Sequence, residues 1–270
     1  MPRPVPPALA AVAGLVVPPL RLLVGRRWSG GEHVPPTGGF VVASNHVSNL
    51  DPLLVGDFLQ AHGAPPAFLA KSELFTSGPV GRILRAAGQV EVRRDAEDAD
   101  RALDHAREAL ADGRCVVVYP EGTFTRDPDL WPMTGRNGAV RLALEAGVPI
   151  VPVVSWGGQR VLPPFTSRFR PLPRTTAEVV AGRPMGRAEL LGDGGGAGRE
   201  SHGVVADSSD AGNGSDDVAA LTPEALTRAT DRVMDRLAAM LSVVRGEPAP
   251  EHRWDTRVDG DPHPRRRTAR

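Results

Sequence analysis

Cysteine is nearly absent from this chain: Cys115 is the only one in 270 residues. An internal disulfide and a cysteine-built zinc site are both excluded, and the usage suits a reducing cytoplasm. Cys115 falls in the apolar run Cys115-Val116-Val117-Val118, which predicts a small core residue. Net charge is lacking too, since 32 basic residues balance 32 acidic ones, so nothing global points to nucleic acid. The apolar stretch 8–20 is stopped by Arg21, short of the ~18–20 apolar residues that span a bilayer. No small-residue cleavage site follows it. With Arg21, Arg26, Arg27 and Trp28 as flanks, it is expected to lie in or on the cytoplasmic leaflet; an ordinary core helix is the competing reading. Neither a Gly-x-Ser-x-Gly elbow, a paired-histidine metal motif, a nucleotide loop nor an internal repeat occurs.

What is present is a junction carrying two chemically able side chains. The run Phe40-Val41-Val42-Ala43 reads as a buried strand over 40–44, and Pro52 can open a helix over 52–60 with Asp51 at its N-cap. On one helix His46 and Asp51 would point about 140° apart. Across a strand–turn–helix junction they can meet. An imidazole beside a carboxylate can take an alcohol's proton while the carboxylate orients the ring and stabilises the imidazolium. One carboxylate oxygen can serve a backbone N–H and the other the imidazole.

Strands and helices then alternate, which predicts an α/β fold around a largely buried sheet. Strands are expected at 67–70, 89–92, 116–119 and 150–154. Helices are expected at 80–87, from an N-cap at Asp98 to Gly113, and at 138–146. Pro149 and Pro152 predict an edge or a bulge in the last of these strands. Trp131 and Met133 either pack under their loop or touch lipid. The chain divides into an N-terminal apolar and basic segment (1–34), a core (35–191) and a flexible Gly/Ser/Asp insertion (192–217). A C-terminal helix (218–245) and a disordered tail (246–270) follow. That helix starts at Thr222-Pro223-Glu224 and carries Leu226, Ala229, Val233, Leu237 and Leu241 on one face.

Four blocks in order give the core a familiar look: Asn45-His46-Val47-Ser48-Asn49-Leu50-Asp51, Gly88-Gln89-Val90-Glu91-Val92-Arg93-Arg94, Tyr119-Pro120-Glu121-Gly122-Thr123 and Val148-Pro149-Ile150-Val151-Pro152-Val153. Over residues 35–185 the chain resembles the 1-acyl-sn-glycerol-3-phosphate acyltransferases of the glycerolipid acyltransferase superfamily. The resemblance implies a mixed sheet flanked by helices, behind a membrane-associating N-terminal helical segment. It implies His46 as general base, Asp51 as its orienter, and transfer of a fatty acyl group from a thioester to lysophosphatidate, giving phosphatidate. The donor is acyl-CoA or acyl carrier protein, no cofactor or metal is expected, and the protein would sit peripherally on the cytoplasmic face of the plasma membrane. Lacking a nucleophile elbow, it would transfer directly, without an acyl-enzyme.

Phosphate on the acceptor calls for cations. Lys71, Arg94 and Arg126 stand just past predicted strands, on the rim where α/β sheets bind ligands. Glu121 can bind acceptor hydroxyls or order the arginines, while Gly122 and Thr123 let backbone approach the ligand. Asn45 either braces the turn or polarises the thioester carbonyl. One position departs from the family pattern: Phe124 stands where arginine usually follows Glu-Gly-Thr. Either Arg126 reaches the phosphate from two residues on, or the acceptor is another lysophospholipid or a glycolipid. Two readings of other classes are a metal-dependent hydrolase using His46, Asp51 and Glu121 as ligands, and a membrane-surface binding protein without catalysis.

Overall fold

The computed structural model describes residues 3, 5–76, 78–92, 96–166, 168–171, 174–192 and 222–263. Arg94, the insertion after Gly192 and the basic run Arg265–Arg267 lie outside the described residues, as does the side chain of Lys71. Seven strands are described: β1 Val24–Ser29, β2 Phe40–Ser44, β3 Pro66–Lys71, β4 Val90–Val92, β5 Cys115–Val118, β6 Ile150–Trp156 and β7 Thr175–Ala181. They form one sheet in the order β1-β7-β6-β2-β5-β3-β4. All neighbours run parallel except β6 and β7, which are antiparallel. The sheet is therefore mixed, as expected.

The described helices are α1 Pro7–Leu23, α2 Asp51–Ala61, α3 Ser72–Phe75, α4 Gly78–Ala86, α5 Ala96–Ala111, α6 Gly138–Glu145, α7 Gly158–Val161, α8 Arg187–Leu191 and α9 Pro223–Arg245. A parallel sheet buries both faces, so its strands read as unbroken apolar runs. In β2, Phe40 and Val42 pack toward Leu54, Phe58 and Leu59 of α2, whereas Val41 and Ala43 turn to the other side. There Leu110 of α5, Leu142 of α6 and Leu237 and Leu241 of α9 complete the second layer. Thr222 caps α9, its hydroxyl accepting the Ala225 N–H at 3.2 Å. Cys115 is fully buried, and desolvation pushes its thiol up to about 12.

Four expectations need correction. Asp51 is not an N-cap: it is the first residue of α2, and its carboxylate turns back to the preceding loop. Asp98 lies inside the first turn of α5, which starts at Ala96. Of the two readings for Pro152, an edge or a bulge, the edge fails, because β6 sits between β7 and β2. Regular β6–β7 pairing instead ends at Val153–Ala181 and resumes at an isolated Ile150–Met185 bridge, so the partner backbone departs from the ladder where proline lacks its N–H. Residues 246–263, expected as an unstructured tail, pack on the core. Arg253 bonds Asp231 at 2.7 Å, the Trp254 carbonyl accepts the Thr134 N–H at 2.9 Å, and His263 reaches Arg126. Such long-range pairs leave no periodic mark in a Pro/Asp/Arg-rich sequence.

The N-terminal segment does form a helix, α1, and it leans on α2, α4 and β1. Leu20 is its one buried residue, while Leu15 and Leu22 are 77% and 79% exposed. No helix among the described residues is long and apolar enough to cross a membrane. Residues 24–29, grouped with that segment on sequence, are the edge strand β1.

Candidate active site

Parallel strands β2 and β5 carry their carboxyl ends to the same rim, and β6, parallel to β2, ends there too. Ligands of α/β sheets gather at that rim. The loop after β2 presents His46, the loop after β5 presents Tyr119 to Arg126, and the end of β6 supplies Ser155.

His46 Nδ1 lies 3.0 Å from Asp51 Oδ2. The same oxygen accepts the Val47 and Ser48 N–H groups, both at 2.7 Å, while Oδ1 accepts the Ser155 hydroxyl at 3.1 Å. The carboxylate's work is thus divided otherwise than expected: one oxygen takes imidazole and loop together, and the other reaches across to β6. Asp51 is fully buried, and the His46 side chain keeps 15% of its surface exposed. An ionised carboxylate only accepts, so Nδ1 carries the proton and Nε2 is the ring nitrogen left to act as a base. Stacked on the imidazole is Tyr119 at 4.1 Å between centroids, and Phe124 leans on it at 4.2 Å.

The surroundings hold this pair in register. Asn45 Nδ2 donates to the Ser155 carbonyl at 3.0 Å, and its Oδ1 accepts the Ser155 N–H at 2.8 Å. Asn45 therefore braces the turn, the first of its two candidate roles. Glu121 is buried; Oε1 accepts the His46 N–H at 3.1 Å and Oε2 the Met133 N–H at 3.0 Å. The Thr125 N–H donates to the His46 carbonyl at 2.9 Å, so the loop is tied at both the N–H and the C=O of His46. Ser155 and Thr125 are not legible in the sequence because their partners, Asp51 and Asn45 for the one and the His46 carbonyl for the other, lie far along the chain. Trp131 and Met133 are buried, so of their two readings packing holds. The Arg245 guanidinium lies 4.1 Å from the Trp131 ring centre.

Burial dominates the Glu121 carboxyl and raises it from 4.5 to about 8, against the pull of its hydrogen bonds from Met133, His46 and Thr125. A folded-state value above the unfolded one gives stability that is fully present below about 4.5 and is lost as pH rises toward about 8. Glu121→Gln removes that ionisation. The stability advantage of wild type over Glu121→Gln, measured by denaturant unfolding, is expected to shrink between pH 4.5 and 8; parallel curves would refute it.

The predicted phosphate cations are unequally placed. Lys71 ends β3, and Arg94 and the Lys71 side chain lie outside the described residues. Arg126 is buried: it donates to the His263 carbonyl at 2.6 Å, pairs with Asp261 at 3.3 Å and sits 4.3 Å from the Phe165 ring centre. Gly122 (φ 68°) is exposed at the turn, and Thr123 is half-buried beside it. His46, Asp51, Glu121, Gly122, Thr123 and Arg126 thus come together at one rim. They form no metal cradle: no cluster of three His, Cys, Asp or Glu side chains with metal-holding geometry occurs among the described residues. Asp51 Oδ2 and both Glu121 oxygens are instead turned to the chain's own N–H groups.

The acyltransferase family model matches residues 26–156, from β1 through β6. Among curated proteins, the chain is 37% identical over 127 residues to the 1-acyl-sn-glycerol-3-phosphate acyltransferase alpha of Ovis aries, covering 46% of this chain and 42% of that protein. It is 30% identical over 126 residues to the 1-acyl-sn-glycerol-3-phosphate acyltransferase of Borreliella burgdorferi, covering 46% and 48%. The matched stretches span less than half of these curated relatives. The crystal structure of the 1-acyl-sn-glycerophosphate (LPA) acyltransferase PlsC from Thermotoga maritima has a similar fold, with a TM-score of 0.58 at 21% identity over 92% of this chain and 81% of that one.

Proposed function

We propose that this chain, whose residues 26–156 match the acyltransferase family model, transfers a fatty acyl group from a thioester to the free hydroxyl of lysophosphatidate, giving phosphatidate. The carrying observation is the pair His46 Nδ1–Asp51 Oδ2 at 3.0 Å on the carboxyl rim of the sheet, with no hydrogen-bond partner for Nε2 among the described residues. Nε2 takes the acceptor's hydroxyl proton as its oxygen bonds to the thioester carbon. The C–S bond then breaks, and the departing thiolate takes the proton from the imidazolium. Acyl-CoA or acyl carrier protein is the donor.

Direct transfer is supported by the state of the cysteine and of two serines near the site. Cys115 is sealed in the core with its thiol pushed up, and Ser48 and Ser155 donate to the Leu162 carbonyl and to Asp51. Around the acceptor's phosphate this reading puts the positive charge of Lys71, Arg94 and Arg126, with Gly122 and Thr123 as close backbone and Glu121 holding the loop. The exposed Leu15 and Leu22 of α1, beside Arg21 and Arg26, support a peripheral seat on the cytoplasmic face of the plasma membrane.

The test is thiol release across an acceptor panel: lysophosphatidate, glycerol 3-phosphate, lysophosphatidylglycerol and a neutral monoacylglycerol. Lysophosphatidate is expected to give the highest kcat/KM, with phosphatidate as product. A higher value for another acceptor would move the reading to a different lysolipid, as Phe124 in the arginine position suggests. Chelator-sensitive hydrolysis without acyl transfer would replace it with a metal-dependent hydrolase.

A further inference from the structure

Arg126 already has partners, Asp261 and the His263 carbonyl, and lies buried beneath them. Arg136 is placed otherwise. The residue is exposed, and its guanidinium has no ion pair or hydrogen bond among the described residues. Its side chain lies over the bare α-carbon of Gly122, where an added Cβ would come within 3.2 Å of Arg136 Nε. Gly122 follows Glu121, whose Oε1 holds the His46 N–H, so this cation stands at the rim one turn residue from the loop carrying the base.

The backbone beneath Arg136 is fixed on every side. Its N–H donates to the Pro120 carbonyl at 2.8 Å, and the Thr134 N–H donates to the Trp254 carbonyl at 2.9 Å. Gly135 presses on α9, where a Cβ would meet Thr230 and Met234 at 3.0 Å. Asn137 Oδ1 accepts the Thr230 hydroxyl at 3.0 Å. An accessible guanidinium on so rigid a base can receive a phosphate without ordering its own backbone or giving up an existing partner.

We propose that Arg136 is a specificity-determining residue that receives the phosphate of the acceptor, standing in for the cation displaced by Phe124; the proposal rests on the acyl-transfer reading above. Loss of one hydrogen bond to a charged group, about 1.5–3 kcal/mol, corresponds to about 10–150-fold in affinity. Arg136→Ala should therefore raise KM for lysophosphatidate about 10–100-fold while kcat changes less than about threefold, and Arg136→Lys should fall between. Calorimetry with glycerol 3-phosphate as probe should show the same loss of binding without any turnover. An unchanged KM for lysophosphatidate, or equal losses on lysophosphatidate and a neutral monoacylglycerol, would overturn it, as would wild-type binding of the probe by Arg136→Ala or wild type that binds no probe. Wild type that binds the probe through Arg136 yet acylates no acceptor would uphold the phosphate site and remove the acyl-transfer reading instead.

Discussion

Alanine at position 46 is expected to lower turnover by about 10²–10⁴, the range lost with a general acid–base, while acceptor KM moves little. The reason lies in how few bonds the ring makes to the fold. His46 is held into the loop by its backbone, through Glu121 and Thr125, and its side chain bonds only Asp51 among the described residues. Removing the imidazole leaves those ties intact but gives up its packing on Tyr119 and Phe124, so the variant should stay folded with a stability loss of about 0.5–3 kcal/mol. Thiol release under saturating donor checks the rate, and denaturant unfolding checks the fold. Turnover close to wild type would remove His46 from the chemistry.

Asp51 should behave differently, and two substitutions separate its duties. Asp51→Ala strands the buried Val47 and Ser48 N–H groups, at a cost of about 1–3 kcal/mol each, and also frees the imidazole. Both stability and turnover should fall. Asp51→Asn keeps one oxygen for the two N–H groups, and its amide can donate to the Ser155 hydroxyl, which is able to accept. That variant should keep most of its stability yet still lose about 10²–10⁴ in turnover, because the imidazolium is no longer opposed by a negative charge. If Asp51→Asn turned over normally, the carboxylate would be a loop brace and nothing more.

Why these two residues were legible in the sequence, and others not, follows from locality. β2, β5 and β6 are buried on both faces and so stand out as apolar runs, and the His46-to-Asp51 loop is contiguous. β1 is hidden because it is an edge strand: its Arg26 and Arg27 point to Asp57 and Glu178, and the segment reads as a basic flank. β7 alternates buried and exposed residues weakly, as Thr175-Thr176-Ala177-Glu178 begins it. Helix limits fell within a few residues because glycines such as Gly88 and Gly147 close them. At the site, what escaped notice is what chain distance conceals: the Ser155 link to Asp51, the Arg136 approach to Gly122, and residues 254–263 laid against Arg126 and Phe165.

Phe124 merits more than the status of a missing arginine. With Tyr119 it packs against the imidazole, Tyr119 stacked at 4.1 Å and Phe124 tilted by 44° at 4.2 Å. Two rings packed against the imidazole thus limit how far it can turn, and so help keep Nδ1 toward Asp51 and Nε2 toward the rim.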